Sequence, residues 1–206
     1  MIKIKKSLKK TTNFEKHTTK NPIGKLFLNN FLNTVVKTIR PLNIDSVLDV
    51  GCGEGFTLAR LQKDKIGKNY EGIEADETAI ELGKKLYPRL EIKKGDIYKL
   101  PYGSNSFDLV VCTEVLEHLA YPKKAYRELL RVSKKYVLIS VPNEPFFTWQ
   151  RIARFQNILH LGAHPEHIQH WTFPAFTKFV KVRGVKLVTR KFPIPWTMVV
   201  VKKVRV

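Results

Sequence analysis

The stretch Val47-Leu48-Asp49-Val50-Gly51-Cys52-Gly53-Glu54-Gly55 limits the fold more than any other part of this chain. An apolar run ends in an acid, and the chain then turns on glycines at 51, 53 and 55. Glycine lacks a Cβ, so the turn can be sharp and a ligand can approach its backbone closely. Phe56 to Gln62 then reads as the start of a helix. Strand, glycine turn and helix in this order place a ligand at the carboxyl end of a parallel sheet.

Spacing decides which ligand. A dinucleotide fingerprint is G-x-G-x-x-G, and here Phe56 stands where its third glycine belongs. No Lys-Ser or Lys-Thr follows the glycines, so a phosphate-cradling loop is absent as well. Asp49, two residues before the turn, repels an anion and attracts an amine. The ligand expected here carries positive charge and no phosphate. S-adenosylmethionine, with its ammonium and sulfonium, fits. Glu74 ends the next strand, in Asn69 to Asp76, 23 positions after Gly51. That is close to the ~20-residue spacing at which an acid meets a ribose diol in such sheets.

On these residues the chain resembles the class I S-adenosylmethionine-dependent methyltransferases, within the methyltransferase type 11 group. The resemblance is good over about residues 45 to 145 and poor in the flanks. Three further segments carry it. Lys94-Gly95-Asp96-Ile97, ahead of Leu100-Pro101-Tyr102, is similar to the family's adenine-contacting loop. Asp96 would accept from the adenine amino group, and Ile97 would pack on the ring. Ser106 to Thr113 resembles the fourth strand. Glu114-Val115-Leu116-Glu117-His118-Leu119 resembles an acid-His stretch at the edge of the active site. The implied cofactor-binding residues are Asp49, Gly51, Cys52, Gly53, Glu74, Ala75, Asp96, Ile97 and Thr113. The implied fold is α/β: Rossmann-like and doubly wound, with a mostly parallel seven-stranded sheet, an antiparallel C-terminal strand and helices on both faces.

The alternation of strand and helix patterns agrees. Asn21-Pro22 reads as a helix start, and Leu28, Phe31, Leu32, Val35, Val36 and Ile39 then follow helical period. Ser46 to Val50 is the first strand, Asp76 to Tyr87 a crossover helix, and Leu90 to Lys93 the third strand. Tyr121-Pro122 opens another helix, with Ala125, Leu129 and Val132 on its apolar face. Tyr136 to Val141 is the fifth strand and Pro174 to Arg183 the last helix. Val185 to Phe192 and Met198 to Val206 close the sheet as an antiparallel pair. The expected division is a flexible basic arm over 1–20 and one methyltransferase domain over 21–206, with a substrate cap around 143–173.

Methyl transfer from a sulfonium asks for alignment more than for a dedicated catalyst, and orientation alone can supply ~7–11 kcal/mol. A general base is needed only where the acceptor must lose a proton. Methylases of base amines or glutamine amides resemble one another in carrying Asn/Asp-Pro-Pro-aromatic after the fourth strand. Here Cys112-Thr113-Glu114-Val115 stands there, which leaves O-, C- and S-methylation and simple amines open. His118 and His167 are the candidate catalytic residues. His164, His167 and His170 are spaced by three, whereas helical metal pairs sit four apart, and no cysteine lies nearby; no metal is expected. The resemblance supplies another reading, a His-x-x-aromatic-aromatic-Ser/Thr loop. His167, Trp171 and Thr172 match it, with His170 in place of an aromatic; Thr172 would cap a helix and His167 would face the substrate. Pro145-Phe146-Phe147-Thr148-Trp149 reads either as an apolar pocket wall or as a small core under a lid.

Charge supplies the remaining constraint. Lys and Arg number 37 against 18 acids, a net +19. Residues 1–20 hold seven lysines and one acid, and nine Lys or Arg but no acid follow Glu166. Such a surface attracts phosphate polymers or anionic lipid. No run approaches 18 apolar residues, and two cysteines make no disulfide framework. The expected location is cytoplasmic, with peripheral contact at a membrane surface left open, and oligomeric state is unassigned. Three functions stay in view: methylation of a small-molecule or lipid-linked acceptor, methylation of RNA held by the basic arm, and cofactor binding without catalysis.

Overall fold

Strands covered on both faces read as near-continuous apolar runs, and Val47-Leu48 and Leu109-Val110-Val111-Cys112 lie at the centre of the sheet accordingly. The computed structural model describes residues 11–144 and 167–204. Its helices are α1 Thr12–His17, α2 Pro22–Ile39, α3 Phe56–Lys63, α4 Glu77–Leu86, α5 Pro122–Val132 and α6 Phe173–Phe179. Its strands are β1 Ser46–Val50, β2 Asn69–Glu74, β3 Glu91–Lys94, β4 Phe107–Thr113, β5 Ser133–Pro142, β6 Val185–Lys191 and β7 Trp196–Lys203.

They form one seven-stranded sheet in the order β3-β2-β1-β4-β5-β7-β6. β1 to β5 pair in parallel, and β7 runs antiparallel to β5 on one side and β6 on the other. The chain leaves β1 toward β2 and β3, then returns to place β4 on the other flank of β1. That reversal opens a crevice beyond the carboxyl ends of β1 and β4. Alternate residues of β1 serve opposite faces: Val47 packs with α2 and α3, while Leu48 packs with α5 and α6. α2 begins where Asn21 Oδ1 accepts from the Ile23 and Gly24 amides, with Pro22 at the first helical position. All six of its periodic apolar residues are buried.

Several boundaries shift. α6 stops at Phe179, not Arg183, and β7 begins at Trp196, two residues before Met198. Thr172 does cap α6, accepting from the Ala175 amide at 3.4 Å. The larger correction concerns the N-terminus. The second half of the expected flexible arm is helix α1, with Phe14 buried and its ring 6.3 Å from that of Phe56. Residues 1–10 lie outside the described residues. So does most of the expected cap, including Pro145, Phe146, Phe147, Trp149 and His164; Asn143, Glu144 and 167–173 are described.

Candidate active site

The glycine turn is shaped first by its backbone. Gly51, Gly53 and Gly55 have φ of +72°, +54° and +84°, a region that L side chains enter at a cost. The Gly51 and Cys52 amides both donate to the Ile73 carbonyl of β2, at 2.8 and 3.2 Å. A Cβ on Gly51 would lie 2.4 Å from Val115 Cγ2. Turn and β4 loop therefore meet with no room for a side chain between them.

Glu74 locks the same turn from β2. Its carboxylate accepts from the Gly53 amide at 2.7 Å and from the Ala75 and Asp76 amides at 2.7 and 3.0 Å. Oε1 takes two of these bonds and Oε2 one, so by lone-pair count one acceptor site, on Oε2, is left for a ribose hydroxyl. Asp49 lies deeper. It is 1% exposed, and neither of its carboxylate oxygens has a hydrogen-bond partner. Burial, with the Glu74 charge adding to it, pushes its carboxyl up to about 7. An orphaned acid under a glycine turn is what a cationic ligand would compensate.

Two lobes of one cleft meet at this turn. A cavity of about 290 Å³ is lined by Gly51, Cys52, Gly53, Glu74, Thr113 and His118, with Glu114 and α1 around them. A second, of about 600 Å³, is lined by Gly51, Glu74, Ala75, Asp96, Ile97 and Tyr98. Gly51, Glu74 and Val115 belong to both. Of the residues expected at the cofactor, only Asp49 lines neither lobe. Asp96 keeps its own loop folded, accepting from the Tyr98 amide at 2.8 Å.

The histidine lobe holds groups that the sequence reading did not single out. Fully buried Glu54 accepts from the Thr11 hydroxyl and the Asn13 amide, which pins α1 across the lobe. His17 stacks on Phe56 at 4.2 Å and 3°. Burial, then the Lys16 charge, lowers its pKa to about 3, so it is neutral in the folded protein. Glu114, at φ +59°, accepts from the Trp196 indole and lies 3.7 Å from the Lys16 ammonium. A faint signal for α1 existed: Thr12-Asn13-Phe14-Glu15 has the capping-box spacing, one residue beyond the true cap, Thr11.

His118 and His167, 49 positions apart, come together. Their rings are 5.0 Å apart and edge to face. The 167–169 segment is tied there by the Ile168 and Gln169 amides, which donate to the Glu117 carbonyl at 2.8 and 2.9 Å. Glu117 is 1% exposed, and its carboxylate has no hydrogen-bond partner from another residue. Burial and the neighbouring Glu114 carboxylate push it well above the usual carboxylate range. One ligand atom each from Glu117, His118 and His167 lies within 4.8 Å of the others. Two imidazoles and a buried, unpartnered carboxylate fit a divalent cation. Spacing along the chain argued against a metal; the fold draws its donors from two separate segments.

A family model for a methyltransferase domain matches residues 48–140. A Mycobacterium tuberculosis protein described as a probable S-adenosylmethionine-dependent methyltransferase is 34% identical over 107 residues, covering 50% of this chain and 37% of that protein. The mitochondrial ubiquinone biosynthesis O-methyltransferase of Saccharomyces cerevisiae is 33% identical over 130 residues, covering 59% and 42%. The chain thus spans less than half the length of these relatives. In fold it superposes on an S-adenosylmethionine-dependent methyltransferase of Aquifex aeolicus with a TM-score of 0.68, at 18% identity, covering 95% of this chain and 100% of that one. With its acid-glycine turn, its switch-point cleft and these likenesses, the chain carries over residues 48–140 a methyltransferase domain of the type 11 group, similar to the class I S-adenosylmethionine-dependent methyltransferases.

Proposed function

We propose that this chain moves the methyl group of S-adenosylmethionine to a hydroxyl oxygen of a small-molecule or lipid-linked acceptor. The observation that carries this reading is the Glu117, His118 and His167 cluster at one end of a two-lobed cleft. The Asp96 lobe would take the adenosine, with Glu74 for the ribose and Ile97 for the ring. Asp49 would balance the charge of the cofactor's ammonium, and the cofactor would supply an electrophilic methyl group. With no cation bound, His118 would accept the proton that the acceptor hydroxyl loses; with a cation bound it would be a ligand instead, and that proton would leave to solvent. Lewis-acid polarisation of the acceptor oxygen is the chemistry that a divalent cation held by the three ligands would supply.

The chain's own contribution is alignment and exclusion of water. α1 roofs the histidine lobe, while the Val115 side chain against Gly51 sets the width between the lobes. An acceptor carbon or RNA hydroxyl is the second reading, and the acid-free stretch 167–204, with eight Lys or Arg, favours a polyanionic acceptor. The test is incubation of the protein with methyl-labelled cofactor and host extract, followed by mass spectrometry of labelled products. A labelled methyl ether supports the reading, while label on carbon or nitrogen overturns it. Calorimetry at millimolar cofactor accompanies it; no binding there would remove the enzyme reading altogether.

The location follows the same logic at a coarser level. Among the described residues no helix is long and apolar enough to cross a membrane. A cytoplasmic protein with peripheral contact to anionic lipid through its basic regions is the matching proposal for where it works.

A further inference from the structure

Beside the histidine lobe lies a groove of about 540 Å³ that the reaction as proposed does not use. Its walls are Tyr121, Lys123, Lys124 and Arg127 from the start of α5, facing Trp171 and Phe179. It shares no lining residue with the histidine lobe, and the 118–120 and 167–169 segments join the two. Ala120, which also lines it, follows His118 by two residues, and the Gln169 side chain crosses to donate to the Leu119 carbonyl at 3.2 Å.

Its chemistry is specific. Lys123, Lys124 and Arg127 are exposed, three cations on little more than one helical turn. Among the described residues none of them forms an ion pair with a carboxylate. The nearby acid of the same helix, Glu128, is engaged by the Arg131 guanidinium at 2.6 Å. Lys124 lies 5.4 Å over the Tyr98 ring, but three cations without an ion-paired carboxylate in one concavity still repel one another, and an anion lessens that cost. Two aromatic surfaces face the same space. Tyr121 is 69% exposed, although its backbone is fixed by a 3.2 Å bond from its amide to the Tyr98 hydroxyl. Trp171 is held against Phe176 and Phe179 at 5.4 and 5.3 Å between ring centroids, so the facing wall is rigid. An exposed aromatic beside unpaired cations is the arrangement that stacks a planar ring and binds the phosphate attached to it.

We propose that this groove is a nucleoside-phosphate subsite of the acceptor: phosphate on Lys123, Lys124 and Arg127, and the base stacked on Tyr121 against the Trp171 wall. The inference rests on the proposed methyl transfer for its role, since a phosphate held here places the rest of the acceptor at His118. Binding itself does not depend on that role. A free nucleotide and the end of a single-stranded RNA share this chemistry, and the groove takes one nucleotide unit of either.

The experiment is calorimetric titration of the full chain at low salt with adenosine 5′-monophosphate, a single-stranded tetranucleotide, inorganic pyrophosphate and, separately, S-adenosylmethionine. Adenosine monophosphate binds, and the double variant K123E/R127E weakens it by about tenfold or more. Tyr121→Ala weakens the nucleotide several-fold and leaves pyrophosphate unchanged. Cofactor affinity stays constant in all variants, which reports intact folding. A tetranucleotide that binds more than about tenfold tighter than the mononucleotide identifies RNA as the source; equal affinity identifies a free nucleotide. Absence of nucleotide binding in the unaltered protein overturns the subsite, as does binding that K123E/R127E leaves unchanged. A protein that binds nucleotide but not cofactor keeps the subsite and loses the methyltransferase reading, so the two failures are distinguishable.

Discussion

The glycine turn and the histidine cluster are built in opposite ways. The turn is made of backbone, left-handed glycines and amides on the Ile73 carbonyl, locked by the Glu74 carboxylate, nearly all within residues 51–76. The cluster and its surroundings are made of side chains drawn from Lys16, Glu54, Glu114, Glu117, His118, His167 and Trp196. Backbone geometry is set by local sequence, because only glycine enters the required region cheaply. A cluster of distant side chains is set by the whole fold. The first half should therefore tolerate no substitution, and the second should lose catalysis without losing cofactor.

Gly51→Ala breaks the first half most severely. A left-handed conformation costs an L residue about 1–2 kcal/mol, and the new methyl group meets Val115 Cγ2 at 2.4 Å. Cofactor affinity is expected to fall ~100-fold, equivalent to ~2.7 kcal/mol, measured by calorimetry. Retained tight binding would mean that the glycines do not shape the cofactor site. Glu117→Gln attacks the second half. Turnover is expected to fall ~10–100-fold, as when a metal site loses a supporting group, while cofactor affinity stays within about twofold. A thermal-shift titration with magnesium, manganese and zinc checks the cause. Stabilisation of the unaltered protein should grow with pH, because a cation displaces the proton that Glu117 holds, and it should vanish in the variant.

Asp49→Asn lies between the lobes and gives a pH signature. The Asp49 carboxyl is raised to about 7 when folded, against 3.8 in the unfolded chain. A raised acid favours the folded state at low pH, and that contribution is lost as pH climbs from about 4 to about 7. The unliganded protein should therefore be more stable at pH 5 than at pH 8, and Asn should flatten the difference, with Tm as the readout. Cofactor affinity should move the other way. The ammonium needs the ionised carboxylate, so binding strengthens as pH passes about 7, and Asn removes that rise, weakening affinity by about tenfold at pH 8. Parallel pH profiles in both proteins would remove Asp49 from the cofactor's environment.

The same division explains what the sequence made legible. The alternation of strand and helix, the antiparallel closing pair, the α2 core face and the glycine turn came from contiguous patterns: apolar runs, helical period, glycine spacing, a strand-ending acid. Asp49, expected at the ligand, is buried in β1 and lines neither lobe. α1 was hidden by composition. Seven lysines in twenty residues read as a solvated arm, yet the groups that dock the helix are Thr11, Asn13, Phe14 and His17, whose partners Glu54 and Phe56 lie some forty residues away. The metal-capable cluster was hidden by distance in the same way. Glu117 and His118 looked like a strand-end motif, and the His167 spacing to its neighbouring histidines pointed elsewhere.

The gentlest test concerns an element that touches both halves. α1 reaches the cofactor side through Asn13, whose amide nitrogen stands 2.6 Å from where a Cβ on Gly53 would lie, and the acceptor side through Lys16. The Lys16 ammonium sits 5.0 Å above the Trp196 ring and opposes the burial that raises Glu114. A half-exposed pair of this kind is worth less than about 1 kcal/mol. Lys16→Ala should therefore change the acceptor KM by about threefold or less and let Glu114 keep its proton to higher pH, which shifts the acidic limb of the rate profile upward. Cofactor affinity should not move. If it falls while the acceptor KM stays constant, the lysine serves the cofactor's carboxylate, and the boundary between the two halves runs through α1 on the other side of residue 16.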